Sequence, residues 1–381
     1  MALFSRIPIG IPLQPASRAR RAAGIAALCL AVLAAGCSRL HHERKEYVYV
    51  WARHMFLRDR VAAVSNRVAQ VDNGQRLQVL EHQKRFFQVK TDKGEVGWIP
   101  DRAVIDQRSY NAFVQLAESH KNAPVVAHGV LRDDMYVHVT PGRDSDRFYL
   151  LPENGKVELL VRASFPKAVT PNARPVVKPG GAGKGAAADE PPPMEDWWLV
   201  RDAQGHAGWL LGGRVDVSVP DEIAQFAEGQ RIVGAYVLTK VHDAGAQTQD
   251  HQIAEYVTAM APTKAGLPYD FDQVRVFTWN TRKHRYETAF RLHPIQGYLP
   301  VLVSTQPGQQ GTEPVFSFLV AKSSDVTVNP ETGIARPASS RTIRYALRDT
   351  SVRRIGPDMA PIPMMKNSDA KAKTAAKSKK R

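Results

Sequence analysis

Residues 86–98 read FFQVKTDKGEVGW, and residues 197–209 read WWLVRDAQGHAGW, so the two stretches align without a gap. Both begin with two aromatic residues, carry a glycine in the middle (Gly94 or Gly205) and end on a Gly-Trp pair. The pattern predicts a β-hairpin with an inward-pointing valine, a polar turn closed by the central glycine, and a return strand. Because the hairpin occurs twice, the sequence predicts a chain built from repeated β-units.

A second matching piece lies upstream of each hairpin: residues 72–80 read DNGQRLQVL, and residues 153–160 read ENGKVELL. An Asn-Gly turn before alternating apolar residues predicts a further strand in each unit. With this order of features, each unit resembles the bacterial SH3-like (SH3b) domain. That family has a turn glycine before an apolar strand, an aromatic followed by x-x-Val, a Gly turn and a final Gly-Trp. The resemblance implies two small β-barrels in tandem.

The two units follow the family pattern unequally. The first, residues 47–106, has Leu57-Arg58 near the family's Val-Arg pair. The second, residues 128–217, lacks that pair and carries an insertion at residues 165–196 that is rich in proline, glycine and alanine. We expect the insertion to be a flexible loop, which a hairpin tolerates because loop-closure entropy grows slowly with length. Residues 107–127 between the units have helical spacing and predict a short linking helix.

The last third of the chain carries no family motif that we recognise. Residues 218–355 begin with a predicted short helix and continue with seven apolar or alternating runs between Ile232 and Leu347, separated by Gly, Pro and Asn. This spacing predicts an antiparallel sandwich or open barrel. The Lys- and Ala-rich residues 356–381 predict a disordered basic tail. The expected fold class is therefore all-β: two SH3-like barrels and a C-terminal antiparallel β-domain.

The N-terminus has the features of an export signal. Arg18, Arg20 and Arg21 precede the uncharged residues 22–36, which are too short to span a bilayer. Residues 33–37, LAAGC, resemble the bacterial lipobox, which implies a cleaved signal peptide (residues 1–36), a diacylated Cys37 and a tether at residues 37–46. Ser38 after the cysteine then implies the outer membrane, facing the periplasm. Two alternatives are ordinary cleavage that leaves Cys37 as a thiol, and an uncleaved anchor.

The formal net charge of +15 is concentrated at the two ends. Four arginines give residues 1–36 a charge of +4, and seven basic residues with Asp369 give residues 366–381 a charge of +6, which leaves about +5 for the middle. A nucleic-acid-binding domain concentrates its charge on a folded face, so nucleic-acid binding is not expected. An extended basic tail would attract anionic polymers instead.

No arrangement of residues in the sequence predicts a reaction. Cys29 and Cys37 are the only cysteines, which leaves the rest of the chain without a disulfide, a zinc knuckle or a catalytic thiol. The twelve histidines do not have metal-ligand spacing, and no Gly-x-Ser-x-Gly motif is present. Residues 180–185, GGAGKG, lack the spacing of a phosphate-binding loop. We therefore expect no catalytic residue, metal or cofactor, and a protein that is not an enzyme.

Ligand-binding residues are expected in the barrels, where the SH3-like resemblance implies a groove lined by aromatic side chains. Consecutive residues of a strand point to opposite faces, so only one aromatic of each pair can lie in the core. Aromatic rings with nearby arginine suit glycan or peptide ligands. The expected core residues are Phe87, Trp98, Trp198 and Trp209, and the expected ligand-binding residues are Phe86, Trp197, Tyr49, Tyr136 and Arg58.

Together these features predict a non-enzymatic, lipid-anchored envelope protein. Its expected partner is a cell-wall polymer such as peptidoglycan, or an envelope protein if the barrels serve only protein contacts or spacing. The first alternative is a cell-wall-directed enzyme with its site in residues 218–355. A basic nucleic-acid binder is the less favoured alternative.

Overall fold

The computed structural model describes residues 45–168, 192–246, 248–308 and 311–365. The predicted export signal and Cys37, residues 169–191 of the insertion and residues 366–381 of the tail lie outside these ranges. Within them the chain is almost entirely antiparallel β-structure, which confirms the predicted fold class. No helix in the described part is both long and apolar enough to cross a membrane.

Residues 47–106, the first unit, form one seven-stranded antiparallel sheet around a small apolar core. The core residues alternate along the strands, as in Val48 and Val50 or Leu77 and Val79. The order of strands in the sheet is β3-β2-β6-β5-β4-β1-β7. Their bounds are Tyr47–Val50 (β1), His54–Arg58 (β2), Arg67–Asp72 (β3), Arg76–Gln83 (β4), Phe86–Lys90 (β5), Val96–Pro100 (β6) and Val104–Asp106 (β7).

Residues 127–217, the second unit, repeat this topology strand for strand. The sheet order is β10-β9-β13-β12-β11-β8-β14, which is the order of the first sheet shifted by seven strands. The strands are Ala127–Leu131 (β8), Met135–His138 (β9), Arg147–Leu151 (β10), Lys156–Pro166 (β11), Met194–Arg201 (β12), Ala207–Leu211 (β13) and Val215–Val217 (β14).

The two central hairpins, β5–β6 and β12–β13, have the same register. The turn glycines Gly94 and Gly205 both adopt positive φ, at 89° and 88°, as the repeated sequence requires. The strand pairs are Phe86 with Pro100 and Val89 with Gly97 in the first hairpin, and Trp197 with Leu211 and Val200 with Gly208 in the second.

The glycine of each Gly-Trp pair permits a neighbouring strand to approach closely. A Cβ on Gly97 would lie 2.8 Å from the Cβ of Leu57 on β2, and one on Gly208 would lie 2.5 Å from the Cβ of Val137 on β9. Any larger residue would therefore force the strands apart.

A helix and an aromatic cluster join the two units. Helix α1, Gln107–Ser119, is capped by the Asp106 carboxylate, which accepts a hydrogen bond from the Ser109 N–H at 2.7 Å. Tyr49 of β1 stacks on Tyr110 of α1 at 3.7 Å between ring centroids, and both rings meet Phe148 of the second unit edge-on. The linking helix is thus part of a shared apolar junction.

Asn73 connects the two units by hydrogen bonds. Its Nδ2 donates to the carbonyl oxygen of Phe148 at 2.9 Å, and its Oδ1 accepts from the N–H of Leu150 at 2.9 Å. The same Nδ2 donates to the carbonyl of Trp51 within its own unit at 2.7 Å. One side chain therefore satisfies backbone groups on both sides of the junction.

The C-terminal region consists of two four-stranded antiparallel sheets and a short hairpin, preceded by helix α2, Asp221–Ala224. The first sheet is the meander Gln230–His242 (β15), Gln252–Pro262 (β16), Gln273–Asn280 (β17) and Arg285–Leu292 (β18). The second contains Gly297–Gly308 (β19), Gly311–Ala321 (β20), Ser340–Arg348 (β23) and Ser351–Ile355 (β24), and the hairpin pairs Val326–Val328 (β21) with Ala335–Pro337 (β22).

The two sheets share one apolar core, to which β16, β17, β20 and β23 contribute. The sheets also touch at both edges, where β15 meets β19 and β18 meets β24. Each of the seven predicted runs lies in one of the strands β15 to β20 or in β23, so the predicted antiparallel β-domain is confirmed. Strand β24 and the short hairpin were not predicted.

A buried ionic cluster ties the second unit to the C-terminal region. Arg162 of β11 contacts Asp196 of β12 at 2.8 Å and Asp270 at 3.8 Å, and Arg231 of β15 contacts Asp196 at 2.6 Å. The Ser164 hydroxyl also donates to Asp196. The predicted bounds of the insertion, residues 165–196, are therefore wrong. Strand β11 continues to Pro166 and strand β12 begins at Met194, so that Asp196 belongs to a strand and takes part in this ionic cluster.

The predicted tail also begins too early. Residues 356–365 lie along the C-terminal region, where Asp358 contacts Arg341 at 3.3 Å and Arg354 donates to the carbonyl of Ala360 at 2.7 Å. The N–H of Met365 donates to the carbonyl of Pro294 at 3.0 Å. The expectation of disorder is therefore wrong for residues 356–365.

Candidate functional site

The first unit has an open groove between β2, the ends of β5 and β6, and the loop at residues 59–66. The groove has a volume of about 250 Å³. Its floor is formed by Phe86 of β5 with Trp98 and Pro100 of β6, and one wall by Phe56 and Arg58 of β2. Val61 and Ser65 belong to the loop that forms the other wall.

Strand alternation places these side chains on the outer face. Val89 of β5 and Ile99 of β6 point inward and are fully buried, so Phe86 and Trp98 point outward. Both are half-buried, and Trp98 pairs with Gln88 of β5 and Arg58 of β2. The prediction that Trp98 belongs to the core is wrong, because its two neighbours Gly97 and Ile99 occupy the inner face.

The loop at residues 59–66 is closed at its base by Asp59 and Asn66. The Asp59 carboxylate accepts from the backbone N–H of Asn66 at 2.9 Å and from its side-chain amide at 3.0 Å. Hydrogen bonds from Arg60 and Asn66 hold the pKa of Asp59 below its ordinary value, so the carboxylate is ionised at neutral pH. The loop thereby presents Val61 and Val64, which is 87% exposed, to solvent.

Two arginines, Arg58 and Arg67, lie beside the wall of the groove that β2 forms. The Arg58 guanidinium donates to the carbonyl of Ser65 at 3.3 Å, which joins β2 to the loop. The Arg67 guanidinium lies 4.2 Å from the ring centroid of Phe56. An aromatic floor with arginines on its wall can cover an apolar ligand surface and bind a carboxylate beside it.

The equivalent face of the second unit is filled by its own side chains. Trp197 and Trp209 replace Phe86 and Trp98, and both are only 2% exposed. His138 replaces Arg58 as the strand partner of the tryptophan, and its ring meets Trp197 edge-on at 5.3 Å between centroids. Burial lowers the pKa of His138, which favours its neutral form. The prediction that Trp197 is an exposed ligand-binding residue is therefore wrong.

Several further parts of the chain close this face. Phe165 at the end of β11 lies against the loop at Gly142, and Arg143 of that loop forms a bidentate ion pair with Glu195 of β12. Ile334 from the β21–β22 hairpin and Leu116 of α1 pack on the cluster around Trp197. The extension of β11 and β12 into the predicted insertion thus closes this face together with α1 and the β21–β22 hairpin.

The other two predicted ligand-binding residues, Tyr49 and Tyr136, lie at the junction of the two units. Tyr49 is 6% exposed and stacks on Tyr110 in the junction, so its predicted place in a ligand groove is wrong. Tyr136 also lies at the junction, where its ring meets Trp51 at 5.5 Å, and it is likewise absent from the groove. Of the predicted core residues, Phe87 packs partly buried on the core of the first unit, and Trp198 and Trp209 are buried.

Sequence reasoning missed the loop and its neighbours Phe56 and Arg67. A usable signal was present: residues 61–64 read VAAV, an apolar run inside a polar loop segment. Such a run is unusual in a loop exposed to water unless it contacts a partner.

Comparisons with known proteins give one match to a family. Residues 56–105 match the bacterial SH3 domain family, a range that contains β3 to β6, the end of β2 and every lining residue of the groove except Met55. A search of curated proteins finds no match. Solved structures that are similar to the chain include those of NlpC2 and NlpC1 from Trichomonas vaginalis.

The two structural similarities are remote. NlpC2 is 9% identical, with 78% of this chain and 97% of the other covered and a TM-score of 0.16. NlpC1 is 8% identical, with 65% and 88% covered and a TM-score of 0.16. At this TM-score neither likeness supports an inference about this chain.

Proposed function

We propose that this protein is a lipid-anchored envelope protein that binds cell-wall peptide through the groove of its first unit. The observation that carries the proposal is the open groove of Phe86, Trp98 and Arg58 inside the range that matches the bacterial SH3 domain family. Domains of this family commonly bind cell-wall polymers. Wall peptides offer the apolar faces and carboxylates that such a groove can bind.

In this proposal the second unit is a second SH3-like copy with a supporting role. Its strand order and hairpin register, which repeat those of the first unit, support a common origin. Because Trp197 and Trp209 fill its groove, it serves as a spacer between the binding unit and the C-terminal region.

We propose further that the protein is exported, that it is anchored by a lipid and that it is not an enzyme. The lipobox-like residues 33–37 support acylation of Cys37, and Ser38 after it supports a place in the outer membrane, facing the periplasm. Purified protein should release no soluble fragments from labelled wall sacculi. Release of fragments would favour the alternative of a wall-directed enzyme.

The test is retention on purified peptidoglycan sacculi. Arg58→Ala should reduce retention about ten-fold, since loss of one charge-assisted hydrogen bond costs about 1.5 to 3 kcal/mol. Phe86→Ala should also reduce retention, because it removes the aromatic surface that covers the apolar part of the ligand. Arg102→Ala, which removes an exposed arginine of the same unit outside the groove, is the matched control and should leave retention unchanged. Equal retention of all three variants and the unmodified protein would overturn the proposal.

A further inference from the structure

A second pocket lies in the C-terminal region, far along the chain from the groove. It has a volume of about 760 Å³, which is in the range of ligand-binding pockets. It opens between helix α2 with the turn that follows it and the β17–β18 hairpin. Three aromatic side chains and several polar ones line it, among them Phe226, Trp279, Tyr286, Glu222 and His284.

The buried carboxylate of Asp243 fixes two of these side chains. Its Oδ2 accepts from the indole Nε1 of Trp279 at 2.6 Å and contacts the Nδ1 of His284 at 2.8 Å. Its Oδ1 accepts from the N–H of Gly245 at 2.8 Å. The hydrogen bond from Trp279, followed by those from Gly245 and His284, lowers the pKa of Asp243 to about 2. The carboxylate is therefore ionised at neutral pH, and both rings are oriented before any ligand arrives.

His284 is held in a conformation that costs free energy. Its φ is 49°, in the left-handed region that few non-glycine residues adopt. Gly245 lies against the ring, since a Cβ at that position would be 2.5 Å from Cε1 of His284. The imidazole of His284 is held through Nδ1 and is half-exposed, so its Nε2 can form a hydrogen bond with a ligand. Strained, oriented side chains of this kind cluster at binding sites.

The charges around the pocket nearly cancel. Lys283 and Arg285 both contact Glu287, at 3.0 and 3.5 Å. Glu222, whose carboxylate forms no ion pair within the described ranges, leaves a hydrogen-bond acceptor at the rim. A pocket without an excess of positive charge does not favour phosphate or another polyanion.

We propose that this pocket binds a neutral saccharide. The part-exposed rings of Phe226 and Trp279 can cover the apolar face of a sugar ring, while Glu222 accepts and His284 exchanges hydrogen bonds with its hydroxyl groups. Preorganisation by Asp243 reduces the entropy lost when the sugar binds. The inference is independent of the groove in the first unit.

The test is calorimetric titration of the whole protein with a tetramer of N-acetylglucosamine. His284→Asn and Glu222→Gln should each weaken binding about ten-fold, as expected for one lost hydrogen bond to a charged or oriented group. Trp279→Phe should also weaken binding, because it removes part of the aromatic surface and the hydrogen bond to Asp243 that orients the ring. Asparagine tolerates the left-handed conformation at position 284, and Glu222 is exposed, so the first two variants preserve the fold.

Two controls separate this site from the groove. Glu331→Gln changes an exposed acid elsewhere in the C-terminal region, and Phe86→Ala alters the groove of the first unit. Both should bind the tetramer as the unmodified protein does. The inference is overturned if the tetramer does not bind at millimolar concentration, if the three pocket variants bind it unchanged, or if Phe86→Ala weakens it equally.

Discussion

Phe86 and Trp197 hold the same position in two hairpins of identical register, yet Phe86 lines an open groove while Trp197 is buried. The difference comes from the segments that pack on the outer face of the second hairpin. In the second unit, β11 and β12 extend beyond the hairpin and bring Phe165 and Glu195 over the face that stays open in the first unit. A repeated sequence has thus produced one groove and one sealed core.

The first prediction concerns this pair. Trp197→Ala should lower the free energy of unfolding by about 3 to 5 kcal/mol because it leaves a large cavity among Leu160, Leu199 and Trp209. Phe86→Ala removes a half-buried ring at the groove and should cost about 1 kcal/mol, near the mean for point substitutions. Guanidinium denaturation measures both.

The matched control for this pair is Phe87→Ala, which truncates the neighbouring ring that packs on the core of the first unit. It should cost more than Phe86→Ala. The reverse order would show that the two faces of β5 have been exchanged, which a one-residue shift in register would cause.

The sequence was sufficient to predict the strands and their order of pairing in the hairpins, but not which face of each strand is buried. Alternation and turn glycines identify strands because they depend on neighbours in sequence, and this succeeded for the paired hairpins and seven strands of the C-terminal region. Burial of Trp197 and Tyr49 depends on segments that fold over them from elsewhere, α1 and the β21–β22 hairpin in the case of Trp197. No local pattern could report those contacts.

The second prediction concerns Asn73. Asn73→Ala leaves the N–H of Leu150 and the carbonyl of Phe148 without this partner at the junction of the two units, which should cost about 1 to 3 kcal/mol. Gln70→Ala, on the exposed face of β3, is the control and should change stability little. If Asn73→Ala is equally well tolerated, the hydrogen bonds at the junction do not contribute to stability.

The third prediction concerns the buried carboxylates Asp196 and Asp270. Burial alone would raise the pKa of Asp196, but Arg162, Ser164 and Arg231 lower it below its ordinary value. For Asp270 burial dominates, and Arg162 offsets only part of it, so its pKa is raised. Asp196→Asn should therefore cost about 3 to 5 kcal/mol at pH 7, and Asp270→Asn less.

The pH dependence of this difference follows from the lowered pKa of Asp196. Its contribution to stability is fully present above the unfolded-state pKa of about 4 and is lost as pH falls through the lower folded-state pKa. The gap in unfolding free energy between the unmodified protein and Asp196→Asn should therefore narrow below about pH 4. A gap that stays constant down to pH 2.5 would contradict this assignment of the charge.

The site could be predicted only in part for a similar reason. Phe86 and Arg58 were identified because the family resemblance points to the hairpin and to the strand beside it. Asp243 and His284 are far apart in sequence and meet only when β15 and the β17–β18 hairpin are in place. Their spacing resembles no metal or catalytic motif, so nothing in the sequence indicates that they form a pair.

The fourth prediction concerns anchoring. If Cys37 is acylated, Cys37→Ser should move the protein from the membrane fraction to the soluble periplasmic fraction, because acyl chains at about 0.8 kcal/mol per buried CH₂ supply the attachment. Cell fractionation with Ser38→Ala as the control measures this. A Cys37→Ser protein that still sediments with membranes would require another anchor.

The last prediction concerns the C-terminal tail and separates its two parts. Truncation after Met365 removes residues 366–381 and their charge of +6, and should leave the thermal midpoint unchanged. It should also reduce retention on anionic vesicles at low salt and abolish most of the salt dependence, because that retention comes from screened attraction. Undiminished retention with the same salt slope would place the anion-binding surface elsewhere.

Truncation after Ile355 removes residues 356–365 as well and should lower the thermal midpoint by several degrees. This segment supplies the contact of Asp358 with Arg341, the hydrogen bond from Met365 to Pro294, and the packing of Ile362 on the shared core. A loss of about 2 kcal/mol corresponds to roughly 4 to 8 °C for a domain of this size. Because both truncations lack the same basic residues, any difference in midpoint between them measures residues 356–365 alone, and equal midpoints would show that this segment adds nothing to stability.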